Sequence, residues 1–345
     1  MWLKLSLLFS GILLAQDVSV RSTTHLVLAP VAVNDSQGKP VESLTARDFV
    51  VYDRSLPVAV HMEDTPQPLS LVVVVQASTS AQSVLDKLRK STSIIGPLIT
   101  GARGEAAVVA FSRQTRVLQE FTRDTIKIEK ALRELDGAGE GVSIIDGLAT
   151  ALRMLNQRKL ERRRVILLVS EKHDQSSEES LEKLIELTER ANATVYSVTF
   201  SPTRSMFANR APKYCDRKCR DCANTCKNCG SHCDRENPAA VPSNTSTAGG
   251  MNLLALFGGL KRLSEPDIPK ALAEFSGGIA SEFVRKQALE DALQRIGADL
   301  HQQYLVTLPM QRGQPGTFHS LRVFVKDRSD LAVRSRAGYF ELPEE

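Results

Sequence analysis

The stretch Leu69–Gln76, LSLVVVVQ, running on into Ala77–Ser80, ASTS, decides the fold. A strand with one wet face alternates apolar and polar residues, whereas a continuous β-branched run fits a strand covered on both faces. The same rhythm repeats outward along the chain. A helical pattern at 81–100 precedes two strands, GEAAVVAFS (104–112) and TRVLQEFT (115–122). Helical patterns at 126–135 and 143–160 lead to a buried strand, RRVILLVSE (163–171). A helix at 178–192 and a strand, ATVYSVTFS (193–201), continue the series. Buried strands alternating with helices predict an α/β fold with a doubly wound, mostly parallel sheet. Such a sheet has its ligand crevice at the carboxyl ends of the strands, so the residues after Gln76 and Ser170 are the ones to weigh.

The flanks differ in character. THLVLAPVAVND (24–35), GKPVESLTARDFVVYD (38–53) and LPVAVHMED (56–64) alternate and are separated by turn residues. After IPKALAEFSGGIASEFV (268–284) and a helix at 287–302, three strands are expected: QYLVTLP (303–309), FHSLRVFVKD (318–327) and LAVRSRAGYFEL (331–342). The expected organisation is a β-sandwich whose halves, 17–66 and 303–345, flank an inserted α/β domain at 67–302. Within that domain, 203–266 breaks the rhythm as an insertion ending in a Pro/Ser/Asn/Thr/Gly-rich linker.

Composition narrows the function classes. With 44 Lys+Arg against 40 Asp+Glu and 42% hydrophobic residues, the 345-residue chain reads as globular and speaks against a nucleic-acid binder. Met1–Gln16, MWLKLSLLFSGILLAQ, has the layout of a secretory signal peptide: a Lys, an apolar run and a small residue before the cut. An exported protein of the periplasm or extracellular space, with no transmembrane segment in the mature chain, is expected, in surroundings where disulfides persist.

The order of these motifs resembles the von Willebrand factor A domain, and specifically the exported bacterial VWFA-related proteins of the acidobacterial type. GKPVESLTARDFVVYD is similar to that family's "G.PV..L...DF.V.D" element, and PLSLVVVVQASTS stands where the family has "VLLLDxSxS". RRVILLVSEKHD stands in place of "RKVIVLLTDGxD", FSGG (275–278) in place of a Thr-Gly-Gly turn, and the closing strands are similar to "Y.L.Y.P…F..I.V.V…V..R.GY". The resemblance implies a metal-ion-dependent adhesion site at the strand ends, built from hard oxygen ligands that magnesium accepts only in near-octahedral geometry. At the implied positions this chain has Gln76 for the first Asp, Ser78 and Ser80 retained, Val142 for the Thr, and Glu171 for the second Asp. Ser143 replaces the lost hydroxyl only with a one-residue slip. The expectation is a degenerate site that holds no metal, with weak Mg2+ or Zn2+ binding left open.

All six cysteines, Cys215, Cys219, Cys222, Cys226, Cys229 and Cys233, lie in the insertion at spacings of 4, 3, 4, 3 and 4. On one helix they would share an arc of about 80°. In an exported protein disulfides are the default, with fifteen possible pairings. A thiolate metal cluster helped by His232 and redox-active Cys-x-x-Cys thiols are the alternatives. Arg217, Lys218, Arg220, Lys227 and Arg235 interleave them, and with few aromatics nearby they read as a solubilising shell rather than a nucleic-acid surface.

No Gly-x-Ser-x-Gly elbow surrounds Ser78 or Ser80, no P-loop is present, and the histidines (25, 61, 173, 232, 301, 319) lack metal-ligand spacing. His173 and Asp174, on the ligand edge, read as a solvated loop. The expected function is a non-enzymatic exported protein that meets a protein or cell-surface partner, with cysteine-mediated self-association open. The alternative is a metal- or thiol-dependent module built on the cysteine insertion.

Overall fold

In the computed structural model of the chain, residues 26–62, 67–91, 103–159, 162–202, 267–283, 286–310 and 314–341 are described. The segment at 1–16 and the cysteine segment lie outside them. Five strands form the heart of the α/β unit: β5 (Leu69–Gln76), β6 (Glu105–Phe111), β8 (Arg163–Ser170), β9 (Thr194–Phe200) and β10 (Ala280–Phe283). They run parallel, and the edge strand β7 (Thr115–Thr122) pairs antiparallel to β6, giving the order β10-β9-β8-β5-β6-β7. Antiparallel pairing of β6 and β7 is possible because only Ser112–Gln114 joins them.

The valine run of β5 is explained by what covers it. Successive strand residues point to opposite faces. Leu71, Val73 and Val75 pack in one apolar cluster with α1 (Gln82–Lys90), α2 (Thr125–Arg133) and α6 (Lys286–Gln302). Val72 and Val74 pack in a second cluster with α3 (Ile144–Asn156), α4 (Leu181–Ala191) and α5 (Ile268–Ser276). Both faces are dry, so no polar alternation survives.

The helix predicted over 81–100 begins at Gln82 and is described to Lys90; 92–102 lie outside the described residues. Gly277 ends α5 in the left-handed region, φ +84°, and a Cβ on Gly278 would sit 1.9 Å from the Val195 carbonyl oxygen. The FSGG turn therefore requires glycine at both positions, one for conformation and one for close approach.

Two four-stranded sheets take strands from both ends of the chain. One has the order β13-β1-β11-β4, with β1 (Leu26–Asn34), β4 (His61–Met62), β11 (Tyr304–Pro309) and β13 (Ala332–Arg334). The other has the order β14-β12-β2-β3, with β2 (Phe49–Asp53), β3 (Leu56–Val58), β12 (Phe318–Val325) and β14 (Gly338–Phe340). Val27, Val31, Phe49, Val51, Val306 and Tyr339 share one apolar cluster across them. The single closing strand expected at 331–342 is a correction: it divides into β13 and β14, which pair in different sheets.

The division has a physical cause at Arg336. Its side chain is buried, and both oxygens of Glu189 on α4 accept from Nη2 at 2.7 and 2.8 Å. Nη1 donates to the Leu28 carbonyl and to Asn192 Oδ1, each at 3.2 Å. The crossing between sheets is thus tied to the α/β unit. Nearby, Arg334 donates to Asp299, which also accepts from the Tyr196 hydroxyl at 2.8 Å. Burial, chiefly, pushes the Tyr196 phenol above its ordinary value.

Burial pushes the Glu189 carboxyl up while the charge and hydrogen bonds of Arg336 pull it down. Arg336→Met should therefore cost about 3–5 kcal/mol by denaturant unfolding at neutral pH, because one charge is left buried and unpaired. In that variant the folded-state pKa of Glu189 lies above its unfolded value. Stability is then greatest below the unfolded carboxylate pKa and falls as pH rises through the folded one. The destabilisation relative to the parent should shrink as pH is lowered from 7 toward 5; a loss independent of pH would contradict this account.

Candidate functional site

Parallel strands β5 and β8 are neighbours in the sheet, so their carboxyl ends deliver Gln76 and Glu171 side by side. The turn after Gln76 is pinned to the Gly139 loop. Thr79 N–H donates to the Gly139 carbonyl at 2.9 Å, and Gly139 N–H donates to the Ala77 carbonyl at 3.2 Å. A Cβ on Gly139 would lie 2.3 Å from Ser112 Oγ and 2.9 Å from the Ala77 oxygen, so only glycine permits this approach.

The Gln76 carboxamide is the centre of the site and is almost wholly buried. Its orientation is fixed by one backbone group: Glu171 N–H donates to Gln76 Oε1 at 2.7 Å. That assigns the other end as the NH2, which otherwise would be ambiguous. Nε2 then faces three oxygens: Ser78 Oγ at 2.7 Å, Glu171 Oε1 at 2.8 Å and Ser80 Oγ at 3.2 Å. The ring is closed by Ser80 Oγ donating to Glu171 Oε1 at 2.5 Å and by Ser78 and Ser80 hydroxyls 2.9 Å apart. Two amide hydrogens, two hydroxyls and one carboxylate oxygen thus satisfy one another.

Of the five positions singled out in the sequence, Gln76, Ser78, Ser80 and Glu171 meet, and Val142 does not. Its side chain lies in the apolar cluster that includes Phe111, Ile145 and Leu148. Only its backbone is used in this region: its N–H donates to Ser176 Oγ at 3.2 Å and its carbonyl accepts from Gln175 N–H at 2.8 Å. Ser143 offers no substitute, because its hydroxyl faces Ser176 Oγ at 2.9 Å and the Arg113 carbonyl at 3.3 Å.

Asp174 departs from the expected solvated loop. Its Oδ1 accepts from Ile145 N–H in the first turn of α3 at 3.1 Å and from Ser177 Oγ at 2.6 Å. Asp146 reciprocates, accepting from Glu178 and Glu179 N–H at 3.0 and 2.9 Å. These carboxylates satisfy backbone donors near the starts of α3 and α4, where negative charge is favourable. Ser176 and Ser177 carry much of this wiring. Nothing local marks them beyond their place in a polar loop. Lys172 pairs with Glu282 at 2.7 Å. No His, Cys, Asp or Glu cluster of three or more stands at metal-ligand spacing among the described residues.

Residues 71–173, which span β5 to the loop after β8, match the family model described as "von Willebrand factor type A domain". The chain contains a von Willebrand factor type A domain. A comparison with curated proteins found no match. Among solved structures the chain is similar to a von Willebrand factor type A protein from Catenulispora acidiphila, with a TM-score of 0.42 and 11% identity over 93% of this chain and 75% of that one. It is also similar to the conserved hypothetical protein BatB from Bacteroides thetaiotaomicron, with a TM-score of 0.33 and 14% identity over 38% of this chain and 66% of that one. A third likeness is to the vWF domain of the type V pili tip protein Mfa5 from Porphyromonas gingivalis, with a TM-score of 0.28, 19% identity, and 32% and 40% coverage. The chain thus spans less than two thirds of the BatB and Mfa5 chains.

Within the von Willebrand factor type A domain, the network around Gln76 makes a mutational forecast. Gln76→Leu keeps the volume but leaves the Glu171 N–H without its acceptor and removes the amide donors to Ser78 and Glu171, so it should cost about 2 kcal/mol in urea unfolding. Gln76→Glu should be worse at pH 7 than at pH 4.5, because a second carboxylate then faces Glu171. Equal stability of all three proteins would refute the geometry described above.

Proposed function

We propose that this protein is a non-enzymatic, exported binding module whose von Willebrand factor type A domain meets a protein or cell-surface partner without a bridging metal ion. In this reading a signal peptide at 1–16 is removed. The domain at 67–302, with its cysteine-rich insertion at 203–266, is set into a β-sandwich formed by 17–66 and 303–345. The cysteines of the insertion form disulfides. Domains of this type commonly mediate protein–protein interaction, which supports a binding role. Export rests on the charge, apolar run and small residue of Met1–Gln16. Among the described residues no helix is long and apolar enough to cross a membrane.

The observation that carries metal independence is the direction of the Gln76 amide. The oxygens of Ser78, Ser80 and Glu171, which the resemblance assigns as ligands, gather around an N–H donor at hydrogen-bond distances of 2.7–3.2 Å. Magnesium needs six oxygens at about 2.0–2.1 Å and enough negative charge to repay dehydration. Here the NH2 competes for the same oxygens, Glu171 is the sole carboxylate among them, and Val142 adds no donor. These residues do not fit the ion.

The partner surface in this reading is the rim of carboxyl-edge loops at 76–80, 139–144 and 171–174. Titrating the purified protein with Mg2+ and with Mn2+ should give no binding heat and no shift in melting temperature. Capture of a partner from the native envelope should be the same with and without EDTA. A micromolar site for either ion, or loss of capture in EDTA, would overturn the proposal.

A further inference from the structure

The opposite edge of the six-stranded sheet gathers four arginines, of which the described contacts occupy only the side chains of two. Strand register brings them together from distant parts of the chain. Glu105 opens β6; Ala106 is paired with Thr122 at the end of β7, so Arg123 follows immediately beside it. Arg158, after α3, donates to both Glu105 oxygens at 2.8 and 2.9 Å. Arg162, before β8, lies 3.1 Å from Glu105 Oε1 and donates to the Ser70 hydroxyl at 2.6 Å. Its Nη2 also donates to the Arg103 carbonyl at 2.8 Å, which fixes Arg103 at the same edge.

Two guanidinium groups, those of Arg158 and Arg162, therefore bind the Glu105 carboxylate, and register and backbone contacts bring Arg123 and Arg103 to the same edge. The two inner ones, Arg158 and Arg162, are consumed by it and by carbonyls. The two outer ones, Arg103 and Arg123, are exposed, and among the described residues neither pairs with a carboxylate. Asp124, next to Arg123, turns its Oδ1 to the Ile126 N–H at 3.0 Å. Burial, and then the charges of Arg158, Arg123 and Arg103, pull the Arg162 pKa down against the support of Glu105.

Helix dipoles do not account for the outer pair. A cation is favoured at a helix C-terminus, as Arg158 is after α3, but Arg123 stands just before the N-terminus of α2, where positive charge is disfavoured. Arg103 adjoins a strand start. Two exposed arginines at one edge, next to the Arg158 and Arg162 guanidinium groups, offer forks suited to a multi-oxygen anion. Phe121, the aromatic ring beside them, is covered by Arg158 at 4.8 Å, so no free stacking face accompanies the charge. That argues for a compact oxyanion over a nucleic-acid strand.

We infer that Arg103 and Arg123, buttressed by Arg158 and Arg162, form a binding site for a phosphate-type oxyanion at the amino edge of the sheet, remote from Gln76. The test uses the full chain at low ionic strength, with inorganic phosphate as one probe and vesicles of phosphatidylglycerol in phosphatidylcholine as the other. Saturable binding to at least one probe is expected, weakened about tenfold or more in Arg103→Ser/Arg123→Ser and by raised salt. An Arg116→Ser/Arg133→Ser control removes the same charge elsewhere and should bind as the parent does. Binding of phosphate without vesicles identifies a soluble anion. Vesicle binding lost in the Arg103/Arg123 variant identifies a lipid headgroup. Failure of both probes, equal loss in the control, or no loss in the Arg103/Arg123 variant overturns the inference. Because both outer arginines are exposed, unchanged thermal melting of the variant checks that it folds.

Discussion

One carboxamide, oriented by a single backbone N–H, organises the carboxyl edge of the sheet. Gln76 Oε1 accepts from Glu171 N–H, and that bond alone decides that Nε2 faces the serines and the Glu171 carboxylate. A carboxylate at this place would repel Glu171 and leave the hydroxyls needing a cation. An apolar side chain would leave the Glu171 N–H without its acceptor. The amide does neither, since it carries an acceptor for one neighbour and two donors for the others without net charge. The loops after β5 and β8 can therefore close on each other with every central polar atom satisfied. A buried polar network that is fully satisfied is rigid, and partial satisfaction is what makes such networks costly.

That local closure depends on a scaffold that cannot shift beneath it. The dry faces of β5 leave its position no slack, with Val73 and Val75 packed on one side and Val72 and Val74 on the other. The outer sheets are joined to this scaffold by ionic and hydrogen-bonded contacts rather than by apolar packing alone. Arg336 reaches Glu189, Asn192 and the Leu28 carbonyl from one crossing segment. Asn192 itself adopts φ +48° at the end of α4, and its Oδ1 also accepts from the Leu28 N–H at 3.2 Å. A left-handed asparagine thus ends a helix and serves as a docking point at the same residue.

Much of this was legible in the sequence because it depends on short-range pattern. An unbroken apolar run over 71–75 means two covered faces, and the polar residues that follow mark the edge where loops collect. That Gln76 is uncharged and Val142 has no hydroxyl is equally plain. That the Gln76 amide nitrogen faces the serines and Glu171 is not, since it depends on distances between residues 95 positions apart. The closing strand was read as one because LAVRSRAGYFEL keeps its alternation through 335–337. Nothing local says that the buried Arg336 in its middle answers to Glu189 in a distant helix. Asp174 escapes sequence reading for a related reason: a carboxylate capping backbone donors of another segment has the same sequence signature as one in solvent.

The two edges of the sheet differ in how their charges are balanced, and this bears on what each can recognise. At the carboxyl edge the starts of α3 and α4 present backbone donors, and Asp174 and Asp146 already answer them from within the chain. The positive ends of the helices are thereby neutralised internally, so an incoming acidic group finds little unspent attraction there. In the proposed function, a partner at that edge gains little from the helix starts themselves. At the amino edge the balance is reversed. Glu105 answers Arg158 and Arg162 but cannot also answer Arg103 and Arg123, because its two oxygens are already occupied. Among the described residues, charge left over at one edge and answered at the other gives the two edges different chemistry. The attraction at the arginine edge should fade with salt as an exposed charge does, whereas the short-range hydrogen bonds of the buried, neutral Gln76 amide should be less sensitive to it.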